Sequence, residues 1–111
     1  MTNYRHGSEF ERRVRKDLAD NGYDLVIKSA GSKTVVDLAA FKPGQALFIQ
    51  AKRDGKISPA ERTELLRVSA HIDALPIVAW KVPGKAAIRY WLLSGPGPQE
   101  RSEWLVDEVS A

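Results

Sequence analysis

The turn Lys42-Pro43-Gly44-Gln45 constrains this chain more than any other stretch, because it fixes how the residues on either side face one another. With Pro43-Gly44 as the tip of a hairpin, Lys42 opposes Gln45. Counting back, Phe41 then opposes Ala46, Ala40 opposes Leu47, Ala39 opposes Phe48 and Leu38 opposes Ile49. Asp37 falls opposite Gln50. Opposed residues share one face of the sheet with Cβ atoms about 4.5–5.5 Å apart, and Lys52, the next residue but one after Gln50, shares that face too. An acid, an amide and an amine therefore converge in strands built otherwise from apolar residues. A slip of one residue in register would separate them. Pro-Gly favours a type II turn rather than the primed turns commonest in two-residue hairpins. A carboxylate in such a strand is costly unless a cation, a metal or hydrogen-bond donors meet it. A salt bridge from Asp37 to Lys52 is the structural explanation; a hydrolytic metal site is the functional one.

The rest of the chain reads as one α/β unit. Ser8 to Asn21 has Phe10, Val14 and Leu18 at helical spacing, with Gly22 as a left-handed cap. Tyr23–Ser29, Val35–Phe41 and Ala46–Lys52 read as three strands, with the small polar loop Ala30–Thr34 between the first two. Ser58-Pro59-Ala60-Glu61 carries a capping box and a proline at the first helical position. That helix runs to about Ile72, with Leu65, Val68 and Ile72 as its apolar stripe and the small Ser69 on the same face. Pro76–Lys81 and Ala87–Leu93 read as two further strands. Ser94-Gly95-Pro96-Gly97-Pro98 breaks the pattern, and residues 99–111 are left as a peripheral element or tail. The order is α-β-β-β-α-β-β in a single domain of residues 1–111, with its core at about 4–93 and a C-terminal extension from 94 to 111.

A chain of 111 residues supports one modest core. With no cysteine, disulfides and thiolate zinc sites are excluded. His6 and His71 lack the spacing of a helical metal pair, so a metal here is a hard, oxygen-bound cation. The net charge of +3 is a mild lean towards anionic partners. Its distribution is more informative. Arg12, Arg13, Arg15 and Lys16 crowd one helix, while Lys28, Lys33, Lys52, Arg53 and Lys56 surround the hairpin cluster. A basic surface around an acidic centre suits a phosphate backbone. No apolar run approaches the ~20 residues of a membrane span, and residues 1–6 lack a signal-peptide hydrophobic stretch. The expected setting is the cytoplasm.

Glu11 has two readings. On a helical wheel it lies at the edge of the Phe10-Val14-Leu18 arc, where it can reach the sheet, whereas Glu9 points away. Its local alternative is a capping box with Ser8.

Taken together, Tyr4-Arg5-x-Gly7, Glu11-Arg12, Gly22-Tyr23, Ser29-Ala30-Gly31-Ser32, Val36-Asp37-Leu38, Gln50-Ala51-Lys52, the Glu61 helix and Pro76–Lys81 form an ordered string of motifs. Over residues 4 to about 93 the chain resembles the archaeal-type Holliday junction resolvases, also found in phages, of the PD-(D/E)xK nuclease superfamily. The resemblance implies a restriction-endonuclease-like fold, a central mixed sheet flanked by helices. It implies a Mg²⁺-dependent endodeoxyribonuclease, with Mn²⁺ expected to substitute. The active form would be a homodimer that resolves four-way DNA junctions by paired nicks.

Residue by residue, Glu11 and Asp37 match the metal-binding acids, Arg12 a basic residue needed for cleavage, Lys52 the motif lysine, and Ser29 or Ser32 the serine of the loop near the scissile phosphate. The metal ligands would be Asp37, the Gln50 side-chain carbonyl, the Ala51 carbonyl and Glu11. The DNA-binding set would be Arg5, Arg12, Arg15, Lys28, Ser29, Ser32, Lys33, Arg53 and Lys56. The chain departs from the pattern at Gln50, where the family has glutamate. Glutamine keeps a carbonyl oxygen for a hard cation but loses the charge. Two alternatives stand beside the resolvase: a branched-DNA-binding protein with a vestigial site, and a related nuclease acting on other DNA structures. If the site is an active variant, Gln50→Glu is expected to retain or raise activity at low Mg²⁺.

Overall fold

The computed structural model describes residues 2–29 and 34–106, with side chains from residue 9 onward. Its elements are α1 (Thr2–Asp20), β1 (Leu25–Lys28), β2 (Leu38–Lys42), β3 (Gln45–Ala51), α2 (Pro59–His71), β4 (Leu75–Lys81), β5 (Ile88–Leu93) and β6 (Arg101–Trp104). The six strands form one sheet in chain order, β1 to β6. Only β3 and β4 are parallel, as a connection through a helix allows. The sheet is therefore mixed, with a helix on each face.

The hairpin has the register read from its turn: Leu38 pairs with Ile49, Ala39 with Phe48, Ala40 with Leu47, Phe41 with Ala46 and Lys42 with Gln45. Gly44 has φ +78°, the conformation a type II turn needs at its third residue.

α1 packs on one face. Phe10, Val14 and Leu18 are buried against Leu38, Ala40, Leu47, Ile49, Ile77, Ala79 and Tyr90, each large side chain contributing roughly 1.5–3 kcal/mol of burial. The helix ends as expected at Gly22 (φ +97°), where the Tyr23 N–H returns to the Leu18 carbonyl at 3.1 Å. Its start differs. It runs back to Thr2, so Ser8 lies inside a helix and is not an N-cap. The capping-box explanation of Glu11 falls with it.

α2 lies on the opposite face. Its capping box is present: the Glu61 N–H donates to Ser58 Oγ at 3.1 Å and the Ser58 N–H donates to Glu61 Oε1 at 3.0 Å. Leu65 and Ser69 are buried as expected, but Arg62 completes the buried stripe in place of Val68 and Ile72. The helix stops at His71, and the left-handed Asp73 (φ 59°) turns the chain away, leaving Ile72 55% exposed.

The segment after Leu93 is part of the sheet. The Glu100 N–H donates to the Gly97 carbonyl at 3.0 Å, closing a turn, and β6 returns antiparallel to β5. Trp104 then meets Tyr90 edge-on, with ring centroids 5.6 Å apart. Tyr90 and Trp91, adjacent in β5, point to opposite faces of the sheet. Tyr90 is buried, and its hydroxyl donates to Asp17 Oδ2 on α1 at 2.6 Å. Trp91 stacks on Trp80 across the other face, with Arg101 over its ring. Tyr90→Phe keeps the packing and removes a bond to a carboxylate. It is expected to cost about 1.5–3 kcal/mol, read as a lower urea midpoint with an unchanged slope.

Candidate active site

The hairpin places Asp37 one residue before β2. The regular ladder ends at Leu38–Ile49, so Asp37 and Gln50 are not a ladder pair as the sequence implies. Instead Asp37 brackets Gln50. Its N–H donates to the Ile49 carbonyl at 2.8 Å, and its Oδ2 accepts the Ala51 N–H at 2.8 Å. Ser29 closes the other side, its N–H donating to the Asp37 carbonyl at 2.9 Å. Burial raises the Asp37 carboxyl to about 6. The Ala51 N–H and Lys52 oppose that rise, and the nearby Glu11 and Glu61 carboxylates add to it.

Lys52 does not pair with Asp37. Its ammonium sits 3.0 Å from Glu61 Oε2 on α2. The same oxygen accepts Gln50 Nε2 at 3.1 Å. Burial opposes ionisation of Glu61, but the Ser58 N–H and Lys52 outweigh it and hold its carboxyl below its ordinary value. A carboxylate accepts only from a donor, so Glu61 fixes which way the Gln50 amide faces. Gln50 is 5% exposed, and its Oε1 is buried with no hydrogen-bond partner among the described residues. Leaving such an oxygen unmet costs roughly 1–3 kcal/mol, and a hard cation is one group that would meet it.

Glu11 approaches from α1. Its Oε1 lies 3.3 Å from Lys28 Nζ, and it is close enough to Asp37 to disfavour a second negative charge there. Arg12, Arg15 and Lys28 line the depression beside Glu11 and Leu38. Lys52, Arg53 and Lys56 line a broader groove that also includes Asp54, Lys81, Pro83 and Gly84. Arg13 and Lys16 are occupied structurally, by the Ala86 carbonyl and Asp20 respectively. Ser32 and Lys33 lie outside the described residues, as does the side chain of Arg5.

Two residues beside the cluster carry no signal of it in the sequence. The capping role of Glu61 uses only one of its two oxygens. Lys81 ends a strand, and its N–H donates to the Arg53 carbonyl at 3.2 Å, which draws it beside the β3–α2 connection. Among the described residues no three His, Cys, Asp or Glu side chains gather closely enough to hold a metal ion. The donors that fit a hard cation here are therefore mixed: the Asp37 carboxylate and the Gln50 carbonyl, with Glu11 and the Ala51 backbone beside them.

The family model for the archaeal Holliday junction resolvase (Hjc) matches residues 2–108. The chain is 34% identical over 110 residues to the crossover junction endodeoxyribonuclease Hjc of Methanocaldococcus jannaschii, covering 95% of this chain and 78% of that protein. It is similar to the solved structure of Hjc from Archaeoglobus fulgidus, a Holliday junction resolvase. That match has a TM-score of 0.66 and 28% identity, covering 77% of this chain and 70% of the other. On a match spanning nearly its whole length, this chain belongs to the archaeal Holliday junction resolvase family.

Proposed function

We propose that this chain resolves four-way DNA junctions by Mg²⁺-dependent paired nicks, acting as a homodimer in the cytoplasm. The observation that carries the reading is the orphaned, buried Gln50 Oε1 beside an Asp37 carboxylate anchored to Ala51. Asp37, Gln50 Oε1, the Ala51 carbonyl and Glu11 would hold Mg²⁺, which when bound lowers the pKa of water and offsets phosphate charge. Lys52 orients the attacking water and stabilises the charge developing on the phosphate. Arg12 grips a phosphate oxygen, and Ser32 lies in the loop assigned to the scissile group. Arg5, Arg15, Lys28, Ser29, Lys33, Arg53 and Lys56 carry the DNA strands past the centre.

The second reading is a junction-binding protein that does not cut. Gln50 in place of an acid, and the lack of a three-carboxylate cluster among the described residues, favour it. A labelled four-way junction beside a matched linear duplex, with Mg²⁺ or EDTA, separates the readings. Paired nicks in the junction alone, dependent on metal, are the resolvase result. Cutting of the duplex as well would mean a different nuclease, and tight binding without cleavage in Mg²⁺ or Mn²⁺ a binding module.

The groove makes a separate prediction. Lys81→Ala removes one cation from its wall, so the slope of log affinity against log salt is expected to fall by about 0.9. An unchanged slope in a fluorescence titration would place Lys81 off the DNA path.

A further inference from the structure

Position 50 and position 61 are read most simply as a matched pair. Glu61 Oε2 receives both Gln50 Nε2 at 3.1 Å and Lys52 Nζ at 3.0 Å. A glutamate at position 50 would set two carboxylates against one lysine at that separation, and like charges so close cannot both ionise. With glutamine there, one carboxylate suffices. It satisfies the lysine, orients the amide, and leaves the amide carbonyl buried and unmet.

We infer that Glu61 is a positioning residue of the nuclease site. From the first turn of α2 it supplies the negative charge that β3 lacks at Gln50, holds Lys52, and turns Gln50 Oε1 towards the cation. This rests on the metal-dependent nuclease reading above and adds to it. The capping box does not account for the whole of Glu61, since the cap occupies Oε1 and the site occupies Oε2. The inference also reverses the expectation for Gln50→Glu. Placed against Glu61, the new carboxylate would be repelled or protonated, so that substitution alone should impair the site.

The test is a charge exchange: wild type, Gln50→Glu, Glu61→Gln, and the double variant with both changes. Glutamine at position 61 still accepts the Ser58 N–H, as capping boxes permit. Mn²⁺ affinity is measured by calorimetry, junction cleavage by gel, and junction binding in EDTA by fluorescence. Each single variant should lose about 10- to 100-fold in Mn²⁺ affinity, the range for residues that orient ligands. Junction binding in EDTA should stay the same, and the double variant should recover most of the loss. Ser58→Ala breaks the cap without touching the charge, so it should lower the melting temperature and leave Mn²⁺ affinity alone.

Three results would overturn the inference while leaving the nuclease reading intact. One is a Glu61→Gln protein that binds Mn²⁺ and cuts like wild type. Another is a double variant no better than Glu61→Gln. The third is a Ser58→Ala protein equally impaired in Mn²⁺ binding. A wild type that neither binds Mn²⁺ nor cuts would overturn both.

Discussion

Asp37→Asn is expected to abolish junction cleavage, by at least about 10³-fold, because several kcal/mol of charge stabilisation at the cation are lost with the carboxylate. The fold should survive. Asparagine keeps a carbonyl oxygen to accept the Ala51 N–H, and the Asp37 N–H bond to Ile49 does not involve the side chain. Junction binding in EDTA should be unchanged or slightly tighter, since phosphate contacts come from the basic residues around the site and one negative charge has gone. Gel cleavage assays beside fluorescence titrations decide it. Normal turnover by this variant would remove Asp37 from the chemistry and with it the proposed centre.

The second large effect is on stability. In metal-free protein, burial raises the Asp37 carboxyl from 3.8 to about 6. A carboxyl with a raised folded-state pKa favours the fold in its protonated form. Its contribution is therefore fully present below about pH 4 and is lost as pH rises through about 6. At about 1.4 kcal/mol per unit the full loss is of order 3 kcal/mol, reduced by the water that reaches this half-buried side chain. In EDTA, wild type should match Asp37→Asn near pH 4 and fall below it by pH 7–8. Mg²⁺ at the higher pH should close the gap in wild type alone. Parallel stability curves for the two proteins across that range would mean that Asp37 pays no such penalty.

The strongest sequence signals were those set by a few neighbouring residues. Pro43-Gly44 specified its turn and through it every pair of the β2–β3 ladder. Ser58-Pro59-Ala60-Glu61 specified the start of α2, and Gly22 the end of α1. The start of α1 differs from the expectation: the helix extends back to Thr2, beyond the first apolar residue of its buried stripe, Phe10. Residues 94–98 read as a break because glycine and proline interrupt strands. They form instead a connector that lets Trp104 reach Tyr90 and Tyr23. At the site, Asp37, Gln50 and Lys52 could be grouped from register alone. Lys52 nonetheless chose Glu61 over Asp37, because α2 brings a second carboxylate that no local pattern can announce.

The strand order has a consequence for how the site is made. Because the sheet runs β1 to β6 in chain order, every pairing joins neighbours along the chain. Four of the five joints close across short connections, for which the entropy of loop closure is small. The exception is β3 to β4, which must wait for residues 52–74 and the whole of α2 to be laid across the sheet. Asp37 and Gln50 are brought together by the local hairpin, whereas Glu61 lies on the crossover helix. The proposed centre thus spans the joint that the chain travels farthest to close, and a molecule with only its hairpin formed would lack Glu61.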